Sequence, residues 1–185
     1  MVLVAFDLRG TALVRDFDEL KSYAPRAGFM PMLKKQRKLK WQSALMCEEE
    51  AATAEKSLLL SGIAGSFHHH YYKHDLDRAR QKNFPALKKK DDWLVFVGDK
   101  PKDSAVAARH AVSAIRVPQF SHPKDKFDFS IVQELLEAII LRQFAEFRRE
   151  NRLREIRSAK NFKELGGECF RLRVFPHRFE AHFTD

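Results

Sequence analysis

Two apolar runs in the sequence each end in a carboxylate. Residues 2–6 lead into Asp7, residues 93–97 lead toward Asp99, and Asp103 follows four positions later at a predicted helix start. In an open α/β sheet, the side chains at the carboxyl ends of the strands line the ligand crevice. Two or three carboxylates that converge there, with few compensating cations, form a hard oxygen site suited to Mg²⁺.

Strand-like and helical segments alternate along the first 120 residues. Short apolar, β-branched runs predict strands at 2–6, 58–60, 93–97 and 114–117, and residues 67–73 fit a further short strand. The segments between them have helical spacing, at about 43–56, 75–83 and 104–112. This alternation predicts an α/β fold, a doubly wound parallel sheet with helices on both faces. The runs are continuously apolar, as is typical of strands covered on both sides.

The pattern changes after residue 120, where a polar, proline-containing stretch predicts a linker. A single long helix is predicted over 129–161, with an apolar stripe in its first half and charge nearly all round its second half. The last residues alternate apolar and polar side chains and predict a terminal hairpin with Pro176 near its bend. Two regions are therefore expected, 1–120 and a C-terminal extension over 121–185.

Several classes of protein are disfavoured by the sequence. No stretch approaches the roughly 18 to 20 apolar residues that cross a bilayer, so no transmembrane segment is expected. The N-terminus has no signal-peptide pattern, since the first apolar residues continue directly into a predicted strand. Two cysteines, Cys47 and Cys169, do not form a disulfide framework. An intracellular, reducing compartment is the expectation, either the cytosol or the mitochondrial matrix.

The positive charge is concentrated in one part of the chain. The formal net charge is +9, and residues 21–90 hold 15 Lys and Arg against 6 Asp and Glu. Such a patch is either a solvated basic face or a contact for nucleic acid or an acidic partner. The candidate contact residues are Lys34, Lys35, Arg37, Lys38, Lys40 and Trp41, with Arg148, Arg149 and Arg152 on the predicted long helix.

Four elements over about residues 1–120 resemble, in the correct order, the motifs of the haloacid dehalogenase (HAD) superfamily. That family has a strand ending in Asp-x-Asp-Gly-Thr, a second strand ending in Ser or Thr, a lysine ahead of a helix, and a Gly-Asp-x-x-x-Asp element. Their counterparts here are Asp7 to Thr11, then Ser61, then Lys73 or with less support Lys82, and finally Gly98-Asp99 with Asp103. The insert between the first two motifs, about 12–56, is short and basic, so a small cap domain or none is expected.

The resemblance implies an HAD-like, Rossmann-like sheet and a chemical role for each motif. Asp7 would be the nucleophile that accepts a phosphoryl group, and Thr11 belongs to the same motif. Mg²⁺ would be held by Asp7, Asp99, Asp103 and the backbone carbonyl of residue 9. Ser61 would hydrogen-bond a phosphate oxygen, and Lys73 would offset the gathered negative charge.

Arg9 departs from the family pattern. Phosphatases of the family usually have an Asp there as general acid and base, and arginine performs neither role because its pKa is far above neutrality. Loss of general acid–base help typically costs on the order of 10²–10⁴ in rate. We therefore expect a degenerate HAD-like domain that serves as a structural or binding subunit. Its setting would be a large assembly of RNA and protein, such as a mitochondrial ribosome or another organellar complex.

Two further functions stay open at this stage. The first is an active Mg²⁺-dependent phosphohydrolase with Asp7 as nucleophile. The second is a small RNA-binding protein that acts through residues 33–41, LKKQRKLKW. The affinity of such a protein for RNA would fall steeply with salt concentration.

Overall fold

The computed structural model describes residues 2–16, 20, 22–87, 93–137, 139–140, 171–175 and 178–183. Seven strands of these residues form one sheet in the spatial order β3-β2-β1-β4-β5-β7-β6. Neighbouring strands are parallel except β6 and β7, which form an antiparallel hairpin. The strands are β1 Val2–Phe6, β2 Gln42–Met46, β3 His69–Tyr71, β4 Trp93–Gly98, β5 Ser113–Arg116, β6 Arg171–Phe175 and β7 Arg178–His182.

Helices connect the parallel strands and cover both faces of the sheet. They are α1 Phe29–Lys38, α2 Ala51–Leu60, α3 Phe84–Leu87, α4 Pro101–Arg109 and α5 Ser130–Glu137, with a short 3₁₀ helix at Lys73–Asp75. The predicted α/β class, with helices on both faces of a mostly parallel sheet, is confirmed. None of the helices in the described part of the chain is long and apolar enough to cross a membrane.

Alternate residues of each strand supply two separate cores, because successive side chains of a strand point to opposite faces. Val4 and Phe6 of β1 belong to a core shared with α1, α2 and α5, whereas Leu3 and Ala5 pack with α3 and α4. The first core contains an aromatic cluster in which the ring of Phe29 meets Phe6 edge to face, with ring centroids 5.3 Å apart. Full burial of such a side chain contributes roughly 1.5–3 kcal/mol.

The order β3-β2-β1-β4-β5 is that of a doubly wound sheet, with β1 and β4 at its centre. The chain leaves β1 toward one edge of the sheet and leaves β4 toward the other. Sheets of this kind bind ligands at this topological switch point, between the loops that follow the two central strands.

Two of the elements predicted between residues 42 and 60 were wrong. Residues 58–60, predicted as a strand, form the last turn of α2, where Leu58 is buried and Leu59 is 71% exposed. Conversely, Gln42–Met46 forms β2, although residues 43–56 were predicted to be helical. A short apolar run does not distinguish a strand from the end of a helix, so periodicity alone misassigned both segments. The segment 75–83 also differs, since the 3₁₀ helix ends at Asp75 and α3 begins at Phe84.

The predicted terminal hairpin is confirmed as β6 and β7. It does not stand apart, because β7 pairs in parallel with β5 and extends the central sheet. The helix predicted over 129–161 begins as α5, and its buried side chains pack in the first core. The rest of that prediction, from residue 141 onward, lies outside the described residues.

Candidate functional site

Asp7 lies at the carboxyl end of β1, at the switch point of the sheet. Its backbone N–H donates to the carbonyl of Val97 at 2.9 Å, which places it beside the end of β4. Asp7 is 2% exposed, and its Oδ2 accepts no hydrogen bond within the described structure. A buried carboxylate oxygen without a hydrogen-bond donor is unfavourable unless cations or a ligand compensate its charge.

Lys82 supplies the principal compensation. Its ammonium lies 3.2 Å from Oδ1 of Asp7 and 2.5 Å from Oδ2 of Asp103, and its side chain is 1% exposed. Burial alone would lower the pKa of Lys82, but the carboxylates of Asp7 and Asp103 outweigh this effect and raise it above its ordinary value. Lys82 is therefore a fixed buried cation between two acidic side chains.

The loop after β1 and the end of β4 are joined by a reciprocal pair of hydrogen bonds. The hydroxyl of Thr11 donates to Oδ1 of Asp99 at 3.0 Å, and the N–H of Asp99 donates to that hydroxyl at 3.0 Å. Gly10 has a φ of +78°, and a Cβ there would lie 2.6 Å from Oδ2 of Asp99. Glycine thus permits both the left-handed backbone and the close approach of the Asp99 carboxylate.

Lys100 is a second cation at the site. Its ammonium lies 3.7 Å from Oδ2 of Asp7 and 3.2 Å from Oε2 of Glu48. Burial acts to lower the pKa of Lys100, yet Asp7 and Glu48 raise it overall. The unbonded oxygen of Asp7 therefore faces a partly exposed ammonium group.

Arg9 is drawn toward the loop that follows β2. Its Nε forms an ion pair with Oε1 of Glu49, and Nη1 donates to the carbonyl of Arg15 at 3.4 Å. The two glutamates on either side of Glu49 are also paired, Glu48 with Lys100 and Glu50 with Lys73. Three consecutive carboxylates thus hold cations from three different loops at the carboxyl edge of the sheet.

The structure brings some of the predicted site residues together and separates others. Four of them lie near the carboxyl ends of β1 and β4: Asp7 and Thr11 after β1, Asp99 after β4, and Asp103 in the first turn of α4. Asp7 and Asp99 follow neighbouring central strands, as predicted. Arg9 lies in the loop beside them.

The structure does not bring Ser61 to the Asp7 site. Ser61 ends α2, and its hydroxyl donates to the carbonyl of Ser57 at 2.8 Å. A helix that follows a parallel strand runs back along the sheet, so its last residue lies at the edge opposite Asp7. The residue that follows β2 is Cys47, and burial raises the pKa of its thiol to about 12.

The structure places Lys82, and not Lys73, beside Asp7. The ammonium of Lys73 lies 2.6 Å from Oε1 of Glu50, and its side chain is 44% exposed. Lys82, the alternative with less support, occupies the expected place beside Asp7. Local spacing did not separate the two lysines, because the path of the loop between β3 and α3 is set by tertiary contacts.

The predicted magnesium ligands fit a cation only in part. Two hard oxygen donors lie near the switch point, Oδ2 of Asp7 and the half-buried carboxylate of Asp99. The carboxylate of Asp103 instead accepts a hydrogen bond from Lys82. Within the described ranges, no three His, Cys, Asp or Glu side chains are grouped closely enough to hold a metal ion. Mg²⁺ held by Asp7 and Asp99, without Asp103, therefore stays a proposal.

The predicted basic contact surface is exposed along α1 and the turn after it. Its exposed members are Lys34, Lys35, Arg37, Lys38 and Lys40. Lys35 pairs with Glu137 at 2.6 Å, and Nη2 of Arg37 donates to the carbonyl of Gly65 at 2.7 Å. Trp41 was wrongly placed on this surface, since it is 5% exposed and packs in the first core. Arg148, Arg149 and Arg152 lie outside the described residues.

Comparisons with known proteins bear on the fold alone. No protein-family model matches the chain, and no curated protein matches it. A crystal structure of an uncharacterized protein from Listeria monocytogenes serotype 4b is similar, with a TM-score of 0.54 and 18% sequence identity. The similarity covers 74% of this chain and 97% of the Listeria chain. At this identity the likeness supports a shared α/β architecture and carries no information on activity.

Proposed function

We propose that the Asp7 site binds phosphate esters and accepts a phosphoryl group on the Asp7 carboxylate, with slow turnover. The observation that carries the proposal is Oδ2 of Asp7, a buried oxygen without a hydrogen bond that lies 3.7 Å from the Lys100 ammonium. Lys82 holds the other oxygen of the same carboxylate, which fixes the orientation of the carboxylate. This proposal rests on the HAD-like motif pattern together with that geometry.

The proposed reaction has two displacement steps. Oδ2 of Asp7 attacks the phosphorus atom, the bond to the ester oxygen breaks, and the leaving group departs with the electron pair. Lys82 and Lys100 offset the negative charge that gathers at the carboxylate and the phosphoryl oxygens. Water then attacks the aspartyl phosphate, which releases phosphate and restores Asp7. Mg²⁺ bound by Asp7 and Asp99 would further neutralise the phosphoryl oxygens.

Position 9 accounts for the slow turnover. The guanidinium of Arg9 neither protonates a leaving group nor takes a proton from water, and it is paired with Glu49. The ion pair with Glu49 holds the guanidinium of Arg9 at the loop that follows β2. The expected defect is the loss of proton transfer, which typically contributes 10²–10⁴ in rate.

Burst kinetics with an aryl phosphate test this proposal. A nitrophenolate leaving group needs little protonation, so p-nitrophenyl phosphate with Mg²⁺ should give a rapid burst near one equivalent followed by slow turnover. Substitution Arg9→Asp in a Glu49→Gln background should raise the steady-state rate by about tenfold or more. The Glu49→Gln variant alone is the control, because it removes the carboxylate that would repel the new aspartate. A double variant no faster than this control contradicts the role given to position 9.

The basic surface of α1 favours a second proposal, that the chain is a structural subunit of an RNA-containing assembly. Five exposed cations lie on α1 and the turn after it, while Met32, Leu33 and Gln36 of the same helix are buried. A mitochondrial ribosome or another organellar complex is the proposed setting. The test is co-purification of the tagged chain with RNA and other subunits, followed by Lys34→Gln/Lys38→Gln. A chain that purifies alone and free of RNA contradicts this proposal.

A further inference from the structure

A cleft of about 240 Å³ lies between α4 and the strands β5, β7 and β6. The cleft lies on the face of the sheet against which α4 packs. The opposite face is covered by α1 and α5. The small side chains of Ser104, Ala105 and Ala108 on α4 form one wall, which leaves the cleft open. The other wall is formed by the sheet, and it carries several charged side chains.

Strand register explains why those charged groups meet. Arg116 of β5 is opposite His182 of β7, and Glu180 of β7 is opposite Arg173 of β6. Residues two apart in a strand share a face. The neighbouring residues in the two strands belong to the first core, on the other face of the sheet. They are Ile115, next to Arg116, and Ala181, between Glu180 and His182. The polar side chains therefore all face the cleft.

The arginine side chains of this wall outnumber the carboxylates that pair with them. The carboxylate of Glu180 is held by Nη1 of Arg178 in an ion pair. Nη2 of Arg116 lies against the imidazole of His182, 3.0 Å from Nδ1, and a guanidinium only donates. Among the residues that the structure describes, neither Arg116 nor Arg173 is paired with a carboxylate. Two guanidinium groups thus flank β7 without an ion pair to any described carboxylate, since Glu180 is paired with Arg178.

A hydroxyl group lies on the opposite wall. Oγ of Ser104, in the first turn of α4, is shielded from solvent and has no hydrogen-bond partner among the described atoms. Its neighbour in sequence, Asp103, faces Lys82 in the Asp7 site. Ser104 adds a hydroxyl to the α4 wall, which otherwise presents Ala105 and Ala108 to the cleft.

We propose that this cleft binds a small organic anion through a phosphate or carboxylate group. The planar guanidinium groups of Arg116 and Arg173 match the paired oxygens of such groups, and charge-assisted hydrogen bonds to them are strong. Ala105 and Ala108 leave room for a small apolar portion of the ligand. The volume suits a ligand smaller than a typical drug-sized molecule. The cleft does not use Asp7, so this inference is independent of the proposed phosphoryl transfer.

Titration calorimetry with inorganic phosphate and with benzoate tests the inference on the full chain. We expect saturable one-to-one binding of at least one probe, and the tighter probe identifies the preferred anion. Arg116→Gln and Arg173→Gln should each weaken binding by about tenfold or more. Arg109→Gln is the matched control, because Arg109 lies on α4 outside the cleft and donates to Gln81. The affinity of the Arg109→Gln variant for each probe should stay within about twofold of that of the parent protein.

Four results would overturn the inference. The first is a lack of saturation with both probes. The second is equal weakening by Arg109→Gln, which would mean diffuse attraction to a basic surface. The third is tighter, multi-site binding of an RNA oligonucleotide, which would mean the same. The fourth is loss of binding in Asp7→Asn, which would place the anion in the Asp7 site. Arg173 is exposed, so Arg173→Gln tests the cleft even if Arg116→Gln fails to fold.

Discussion

Lys82 and Asp7 form a buried ion pair, with Nζ 3.2 Å from Oδ1 and both side chains at most 3% exposed. The same ammonium contacts Asp103 of α4, so one cation joins the end of β1 to the first turn of that helix. Removal of one partner from a buried ion pair leaves an uncompensated charge, which is far more costly than the pair itself.

Lys82→Met should therefore destabilise the protein by about 3–5 kcal/mol. Urea denaturation at neutral pH measures the change in the free energy of unfolding. Lys56→Met, which removes an exposed lysine of α2, should change that free energy by less than about 0.5 kcal/mol. The combined variant Lys82→Met/Asp7→Asn/Asp103→Asn should recover part of the loss. Equal stability of the Lys82 and Lys56 variants would contradict the central place of Lys82.

Gly10→Ala should be more destabilising than Gly62→Ala. Both glycines have positive φ, at +78° and +70°, so both alanine variants carry backbone strain of about 1–2 kcal/mol. A Cβ at Gly62 meets nothing within 4 Å, whereas one at Gly10 would collide with the carboxylate of Asp99. That carboxylate is held by Thr11 and does not move without loss of a hydrogen bond.

The expected difference between the two glycine variants is about 1–3 kcal/mol, the usual cost of overpacking. Thermal or urea unfolding of the pair gives this difference directly. If the two variants lose equal stability, the close approach of Gly10 to Asp99 is not a feature of the protein.

Glu48 should contribute to stability at neutral pH and lose this contribution in acid. Burial acts to raise its pKa, but Lys82 and Lys100 lower it below the ordinary value of 4.5. Since the folded pKa is depressed, the stabilisation is present above pH 4.5 and disappears as the pH falls through the folded pKa. Glu48→Gln should thus be less stable than the parent protein at pH 7, by less than about 1 kcal/mol because the side chain is 34% exposed.

The measurement is the free energy of unfolding of both proteins between pH 3 and pH 7. The difference in free energy of unfolding between the parent protein and Glu48→Gln should shrink toward pH 3. The Glu134→Gln variant, which changes an exposed glutamate, should show no such pH-dependent difference. A gap that stays constant over the whole range would show that Glu48 stabilises the fold through something other than its charge.

The strand-end carboxylates were predictable from the sequence because β1 and β4 are apolar runs that end sharply. Periodicity and length sufficed to place Asp7 and Asp99 at the same edge of a parallel sheet. Ser61 and Lys73 were misplaced because they depend on segments where local pattern is ambiguous. Leu58–Leu60 reads equally well as a strand, and the loop that carries Lys82 has no periodicity at all.

The ion pairs of Glu48, Glu49 and Glu50 had a weaker signal in the sequence. Three consecutive glutamates predict a solvated helix face unless the preceding strand is recognised. Once Gln42–Met46 is known as β2, the same residues follow a strand end beside Asp7. Arg9 then has a carboxylate within reach, which the spacing of the first motif alone does not reveal.

The central claim is that Asp7 accepts a phosphoryl group, and intact-mass analysis tests it most directly. The protein is mixed with p-nitrophenyl phosphate and Mg²⁺, quenched in acid within the burst phase, and weighed. The proposal predicts one phosphoryl adduct per chain, located on Asp7, absent in Asp7→Asn and present in the exposed control Asp16→Asn. No adduct on the parent protein, or an adduct that persists in Asp7→Asn, would contradict it.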